Sequence, residues 1–136
     1  MKLLAMGVPR GIRNNNPLNI RIGNKWKGLK TPNTDGAFDQ FISVYWGYRA
    51  AFIVLRNYIR KHGCNTVTKI ISRFAPSNEN NTAAYIKTVC TKTGYKPDQV
   101  LQPTYDDLSK LVYAMAWVES MATPSTQTLR YSWGLI

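Results

Sequence analysis

The sequence predicts a mainly α protein of the α+β class, with a small β-hairpin region near the N-terminus. Apolar residues recur at helical spacing in four segments after residue 43, and capping or helix-ending residues flank these segments. The first third of the chain instead clusters asparagine, proline and glycine, which is typical of turns and short strands. The 136 residues are enough for one domain, 1–136, with a real hydrophobic core.

The net charge of the chain is +11, from 18 basic and 7 acidic residues. This excess favours a polyanionic partner such as nucleic acid, an anionic cell envelope or a membrane surface. The basic residues are spread over several predicted elements, however, and the sequence shows no single stripe that would indicate nucleic-acid recognition.

Several classes of function receive no support from the sequence. Two cysteines, Cys64 and Cys90, do not make a disulfide framework, and both are expected to be reduced. The single histidine, His62, is interpreted as a helix cap or a solvent residue. One histidine and two separated cysteines predict no metal site. No GxSxG, HExxH or P-loop pattern occurs, so no cofactor is expected. No apolar run reaches the length of a membrane span, and Pro9 and Arg10 interrupt the apolar start, which predicts no classical signal peptide.

The N-terminal third begins with a basic lead-in over residues 1–13 and continues with the turn-rich run RNNNPLNIR. Residues 19–22 are interpreted as a short strand and residues 37–41 as its return strand, which together form the predicted hairpin. Amide clusters in loops suit hydrogen bonds to sugar acetamido and hydroxyl groups, and a tryptophan suits a sugar platform. The candidate substrate-binding residues here are Asn15, Asn16, Asn19 and Trp26. Asparagines are also good turn formers, which is the alternative for each of them.

Four predicted helices follow, over residues 43–62, 66–75, 82–93 and 104–122. Gly63 and Gly94 are expected to end the first and third of them, since glycine readily adopts the left-handed conformation of a helix C-cap. Polar residues at 65–66 and 81–82 are expected N-caps. The tail, 124–136, is apolar enough to dock on the body of the protein.

The last long helix carries Glu119, the first candidate catalytic residue. Thr104 and Asp107 can form a capping box at its start, and Glu119 lies in its last turn, on the apolar stripe. Core residues and the negative end of the helix dipole both disfavour the charged carboxylate, so a raised pKa is expected. A carboxyl group still protonated near neutral pH suits the general acid of a glycosidase. The alternative is that the helix ends early and Glu119 points at water.

Glu79 is the second candidate, because turns and helix starts account for most of the aspartates. It lies in a polar loop just before a helix, a position that favours the ionised carboxylate. One protonated and one ionised carboxyl group are the pattern expected of an acid and a base. Asp39 lies in the predicted return strand and can face either side. Tyr85, in the helix after Glu79, is a candidate for stacking on a sugar, with core packing as the alternative.

The runs RGIRNNNPLNIR, NKWKG, FDQFISVYWGYRA and APSNENNTAAYI together resemble virion-associated lytic proteins of phages and prophages, which have a lysozyme-like fold. A more distant similarity is to bacterial glucosaminidases of the flagellar and autolysin type. In those enzymes an A-x-x-x-E-S helix precedes the asparagine-rich segment. In this chain no acidic residue precedes Asp35, and the matching AWVES run stands at 116–120. A circular permutation would reconcile the two orders.

The resemblance implies a peptidoglycan hydrolase, either a glycosidase or a lytic transglycosylase, that cleaves the β-1,4-linked glycan strand. It implies Glu119 as general acid and Glu79 as a base-like or water-orienting residue where one is needed; because the permuted order leaves the assignment open, the alternative is that Glu79 is the acid. The implied partners are peptidoglycan, the anionic cell wall and virion components, and the protein would be made in the host cytoplasm and act at the wall or in the virion. The alternatives are a non-catalytic basic virion structural or nucleic-acid-binding protein, and a lysozyme-like module that binds glycan without cutting it.

Overall fold

The computed structural model describes residues 7–136, so the MKLLAM segment, on which the signal-peptide prediction rests in part, lies outside the described residues. Within 7–136 there are six helices, and the prediction of a mainly α protein is confirmed. They are α1 (Arg10–Arg13), α2 (Val44–His62), α3 (Val67–Phe74), α4 (Thr82–Thr93), α5 (Tyr105–Ser120) and α6 (Thr126–Gly134).

The helix ends follow from capping residues that are visible in the sequence. Gly63 and Gly94 end α2 and α4 in the left-handed conformation, with φ of 65° and 79°, where a Cβ atom would cause strain. The side chains of Thr66 and Asn81 begin α3 and α4 by accepting a hydrogen bond from a backbone N–H three residues further on. These four predicted caps are confirmed.

The predicted capping box at the start of α5 forms only in part. Thr104 Oγ1 accepts a hydrogen bond from the backbone N–H of Asp107 at 3.4 Å, as predicted. The Asp107 carboxylate, however, accepts a hydrogen bond from the backbone N–H of Gln102 at 2.7 Å. The carboxylate therefore holds the loop that enters α5, and the reciprocal bond of a full capping box is not among its contacts.

The predicted β-hairpin near the N-terminus is wrong. Within residues 7–136 this region makes two isolated antiparallel bridges, Arg21 with Phe38 and Leu29 with Phe41, and it contains no strand. Residues 19–22 and 37–41 do lie side by side, joined by two backbone hydrogen bonds, from Ile22 N–H to the Ala37 carbonyl at 3.0 Å and from Asp39 N–H to the Ile20 carbonyl at 2.9 Å. Beyond these two bonds, side chains satisfy backbone groups that a ladder would pair.

Asn16 is the clearest case of a side chain in place of a strand partner. It is fully buried, its Nδ2 donates to the backbone carbonyls of Ile20 and Asp39, and its Oδ1 accepts from the backbone N–H of Ile20, each at 2.9 Å. Asp39 is itself buried, and burial raises the pKa of its carboxyl group. Because one amide satisfies three backbone groups, the chain bends where a regular hairpin would run straight.

We expect Asn16→Ala to lower the free energy of unfolding by about 3 kcal/mol, because the Ile20 N–H and the Asp39 carbonyl lose their partner and the Ile20 carbonyl keeps only the Asp39 N–H. The matched control is Asn24→Ala at an exposed position, which should change stability by less than about 0.5 kcal/mol. Urea denaturation of both variants checks this. Equal stability of the two variants would show that the Asn16 amide does not hold the bend.

The core is built around α5, which packs against α1, α2, α4 and α6. Its buried residues are Leu108, Leu111, Val112, Ala114, Met115, Ala116 and Ser120. The tail forms α6 and packs on α2, where the Trp133 ring lies 5.3 Å from the Phe52 ring, so the tail docks on the body as expected.

Cys64 and Cys90 are both free thiols. Among residues 7–136, no helix combines the length and apolar character that crossing a bilayer would need.

Candidate active site

The C-terminal end of α5 meets the asparagine-rich bend of the N-terminal third, which comprises residues 14–19. Ser120 is buried at this junction, and its Oγ donates to the backbone carbonyl of Pro17 at 2.8 Å. Asn19 Nδ2 donates to the backbone carbonyl of Glu119 at 3.0 Å and lies 3.3 Å from Oε1 of its side chain. Asn19 holds this position with φ of 52°, a left-handed conformation that asparagine tolerates better than most residues. Two distant parts of the chain thus fix the Glu119 carboxyl group.

The Glu119 carboxyl group is half-buried, and burial raises its pKa because the ionised form loses solvation. Tyr85 and Asn19 act in the opposite direction, since both can donate a hydrogen bond to a carboxylate, but the effect of burial is larger. The protonated form that a raised pKa favours is the one able to donate a proton to a bound molecule.

Tyr85, on α4, lies beside this carboxyl group. Its hydroxyl is buried and makes no hydrogen bond of standard geometry, yet it lies close enough to Glu119 to lower the pKa of the carboxyl group. Burial, and next the charge of Glu119, raise the pKa of the Tyr85 hydroxyl, which therefore stays protonated. The hydroxyl is a spare donor that can stabilise the carboxylate once the proton has left.

We expect Tyr85→Phe to raise the pKa of Glu119 further, because it removes a donor to the ionised form and leaves the burial unchanged. Stability should change by no more than about 1.5 kcal/mol, because the contact of the hydroxyl that is lost is the one to the half-buried Glu119 carboxyl group. An NMR titration of the Glu119 side-chain carboxyl carbon measures the shift. Tyr113→Phe, the same change at an exposed position on α5, is the matched control and should leave that titration where it is. An unmoved titration in Tyr85→Phe would rule out the contact.

Glu119 lines a cleft of about 490 Å³ between the N-terminal region, α2 and the loop before α4. The side chains around it combine aromatic rings, amides and both glutamates: Asn19, Arg21, Asn24, Trp26, Phe38, Asn57, Tyr58, His62, Glu79, Asn80 and Glu119. In the wall of the cleft, Trp26 Nε1 and Asn19 Oδ1 are buried without a hydrogen-bond partner. Aromatic faces with a few convergent polar groups suit a ring-shaped ligand rich in hydroxyl and amide groups.

A second hollow of about 350 Å³ lies on the other side of Glu119, towards α4. It is lined by Asn80, Asn81, Ala84, Tyr85, Thr88, Val118 and Glu119. Asn80 and Glu119 belong to the lining of both hollows. The carboxyl group therefore lies between two recesses, and a ligand with several linked rings can extend to either side of it.

The structure brings four of the seven candidate residues to the larger cleft: Asn19, Trp26, Glu79 and Glu119. Tyr85 lines the second hollow. Asn15 and Asn16 line neither, because their side chains hold the bend itself; Asn15 Nδ2 donates to the backbone carbonyl of Phe41 at 3.0 Å. Glu79 is exposed at the rim, whereas Glu119 is half-buried, so the two carboxyl groups have different surroundings.

Sequence reasoning missed most of the lining residues, and three of those missed lie on α2. Asn57, Tyr58 and His62 project from one side of α2 into the cleft. The available signal was Asn57, the one amide side chain in the predicted helix, which lies next to the apolar face of that helix. Tyr58 gave no separate signal, because the same helix carries several aromatic residues that belong to the core. His62, expected as a cap or a solvent residue, is exposed and lies at the rim of the cleft.

Within residues 7–136, no group of three or more histidine, cysteine, aspartate or glutamate side chains is arranged to hold a metal ion. No protein-family model matches the chain. The chain is similar to Protein P5 of Pseudoalteromonas phage PM2, with 37% identity over 121 residues, which cover 86% of this chain and 74% of that protein.

Proposed function

The chain belongs to the family of Protein P5 of Pseudoalteromonas phage PM2, and we propose that it is a phage or prophage peptidoglycan hydrolase of lysozyme-like fold. Its reaction is cleavage of the β-1,4-linked glycan strand, as a glycosidase or as a lytic transglycosylase. The observation that carries the proposal is Glu119, a half-buried carboxyl group of raised pKa that opens on a cleft of about 490 Å³.

Glu119 acts as the general acid in this proposal. The protonated carboxyl group donates its proton to the bridging oxygen of the glycosidic bond as the bond from that oxygen to the anomeric carbon breaks. Positive charge develops on the sugar ring at the same time, and the carboxylate left behind is stabilised by the amide of Asn19 and the hydroxyl of Tyr85. The raised pKa matters because an ionised Glu119 has no proton to give.

The second step depends on which oxygen replaces the leaving group. In a hydrolase, water adds at the anomeric carbon, and Glu79, at the rim of the same cleft, is the residue that would orient or deprotonate it. In a lytic transglycosylase, the substrate's own acetamido group or 6-hydroxyl completes the displacement, and Glu119 alone is needed. Both routes leave the role of Glu119 unchanged.

Binding of the glycan draws on the groups around Glu119. Trp26 and Phe38 offer aromatic faces to sugar rings, and Asn19 and Asn57 offer amides to hydroxyl and acetamido groups. The hollow beside Tyr85 extends the surface past the acid, so that the scissile bond can lie between sugars bound on either side. The net charge of +11 would hold the protein to an anionic wall.

The junction of α5 with the bend also supports a circularly permuted arrangement. The catalytic helix of the autolysin-type glucosaminidases precedes their asparagine-rich segment, and here the AWVES helix follows it by about one hundred residues. The contact between Asn19 and Glu119, 100 positions apart, supplies the spatial closeness that such a permutation requires.

The test is to incubate purified peptidoglycan with the protein and to determine the masses of the soluble fragments. We expect fragments cut between sugars, with ends that carry one added water for a hydrolase or an anhydro ring for a transglycosylase. Fragments cut only in the stem peptides, or no fragments from folded protein, would contradict the proposal.

A further inference from the structure

One side of α2 carries a row of basic and aromatic residues that the cleft does not use. Tyr45, Arg49, Arg56 and Arg60 are spaced by four, seven and four residues, which places them in one line along the helix. Tyr58, which lines the cleft, is nine residues from Arg49, so the two side chains leave the helix in roughly opposite directions. We call Tyr45, Arg49, Arg56, Arg60 and the neighbouring Tyr131 the α2 stripe.

The three arginines of the α2 stripe carry charge that no carboxylate balances. Among residues 7–136 the one ion pair joins Arg10 to Asp35, on another part of the molecule. Burial, followed by the charges of Arg60 and Arg49, lowers the pKa of Arg56, so the Arg56 guanidinium group lies close enough to both to be repelled by them. Arg56 Nε is buried without a partner, and Arg49 Nε donates to the carbonyl of Leu135 at 3.1 Å. Arg49 and Arg56 are half-buried and Arg60 is exposed, so the stripe concentrates positive charge along one side of α2.

Two exposed tyrosines stand at the start of the α2 stripe. Tyr45 is 40% exposed and Tyr131, on α6, is 57% exposed, and their rings meet edge to face with centroids 4.8 Å apart. An exposed aromatic pair at the end of a row of arginines offers a ring face to an unstacked base next to contacts for the phosphate backbone.

We propose that the α2 stripe binds single-stranded nucleic acid, with the arginines on successive phosphates and the tyrosine pair against a base. Arg49 and Arg56 are separated by about 10 Å along the helix axis, and Arg56 and Arg60 by about 6 Å, so the row presents a line of charge to a linear polyanion. This function is separate from the glycan cleft and does not depend on it, because the two surfaces lie on different sides of α2.

An anionic membrane surface is the other polyanion that the charge would fit, and the structure argues against it. A helix that lies on a bilayer inserts its apolar side among the acyl chains. In α2 that side, with Tyr48, Phe52 and Leu55, is buried in the core of the protein and is unavailable. No single basic stripe was predicted from the sequence, because arginines were counted over all elements, although the spacing of Arg49, Arg56 and Arg60 within one predicted helix was visible.

The test is fluorescence anisotropy of the full chain with a labelled single-stranded DNA of about 20 nucleotides, long enough for several phosphate contacts. We expect the triple variant R49Q/R56Q/R60Q to weaken binding at least about tenfold and to lower the slope of log Kd against log salt by about 2. The matched control, K69Q/K87Q/K96Q, removes the same charge from three exposed lysines outside the stripe and should weaken binding far less. The variant R49K/R56K/R60K keeps the charge and should retain most of the affinity.

The aromatic part of the proposal has its own test. Tyr131→Ala should weaken single-stranded binding by about fivefold or more and leave duplex binding almost unchanged, because duplex bases are already stacked. Equal losses in the two triple variants would show that net charge alone binds DNA. Binding of vesicles rich in anionic lipid in place of DNA, or no DNA binding at physiological salt, would also overturn the proposal. Thermal melts of every variant separate loss of binding from loss of folding.

Discussion

Glu119→Gln is expected to lower the rate of glycan cleavage by about a hundredfold or more, while the protein stays folded. Glutamine keeps the shape of the side chain and can still accept a hydrogen bond from Asn19, but it has no proton to donate to a glycosidic oxygen. The measurement is the release of soluble fragments from purified peptidoglycan at equal concentrations of folded protein.

The same variant makes a prediction about stability with a defined sign. The native state raises the pKa of Glu119 above its ordinary value of 4.5, so it binds the proton more tightly than the unfolded chain does. The wild-type protein therefore loses stability as the pH rises through the raised pKa, and Glu119→Gln avoids that loss. We expect the variant to melt at or above the wild-type temperature at neutral pH, and this advantage to disappear below about pH 4.

Asp106→Asn is the matched control, since it makes the same change from carboxylate to amide at the other, exposed end of α5. It should leave glycan cleavage at the wild-type rate. If Glu119→Gln cleaves peptidoglycan as fast as Asp106→Asn does, then Glu119 is not the acid and the proposed function fails at its centre. A variant that is inactive but also unfolded is identified by its melting curve.

Gly47→Ala is expected to destabilise the protein by about 3 kcal/mol, although alanine is the better helix former. Gly47 is buried in the first turn of α2, where the backbone carbonyl of Asn15 packs directly on its Cα. A Cβ atom would overlap that carbonyl oxygen and come within 3.0 Å of Pro17 Cδ. Backbone on both sides has to move apart, and the gain in helix propensity, about 1 kcal/mol, cannot offset the overlap.

Gly134→Ala provides the comparison for this prediction. Gly134 is the exposed last residue of α6, and nothing lies within 4 Å of the position of an added Cβ. Alanine there should be neutral or stabilising by up to about 1 kcal/mol. Urea denaturation of the two variants gives both free energies of unfolding. If the Gly47→Ala variant has the same free energy of unfolding as the Gly134→Ala variant, then the Asn15 carbonyl does not pack against Gly47 as described.

The helices could be predicted because their information is local. Thr66, Asn81, Gly63 and Gly94 fix the ends of α2, α3 and α4 through bonds or backbone angles within a few residues, and each is legible in the sequence. The α5 helix follows from its apolar spacing in the same way. Local signals of this kind depend little on the rest of the fold.

The N-terminal region could not be predicted, because many of its hydrogen bonds are made by side chains to groups that are distant in the sequence. Asp35, read as a turn residue, accepts hydrogen bonds from Arg10 at 2.6 and 2.7 Å and from Asn14 at 2.9 Å, and Gln40 donates to Asn14. The spacing of these residues in the sequence does not indicate that their side chains form hydrogen bonds with one another. Turn-forming residues around the short segments 19–22 and 37–41 therefore predicted a hairpin where a network of side chains holds an irregular bend.

The candidate site was predictable in part for the same reason. Glu119 was found from helical position alone, whereas its closeness to Asn19 follows only from the resemblance and a permuted chain order. Arg21 and Phe38, which line the cleft with a guanidinium group 5.2 Å from the ring, gave no signal at all. A cleft is a property of the assembled fold, and its wall draws on residues that have no common pattern.

The contact between Asn19 and Glu119 spans 100 positions of the chain, and this affects when the site can exist. A ribosome adds about 5–20 residues each second, so the bend emerges on the order of ten seconds before the acid that faces it. Throughout that interval the growing polypeptide has the asparagines of the bend but no Glu119, and Glu79 is added about three fifths of the way through it. Any chemistry that this carboxyl group performs therefore begins only after residue 119 has been made and its contact with Asn19 can form.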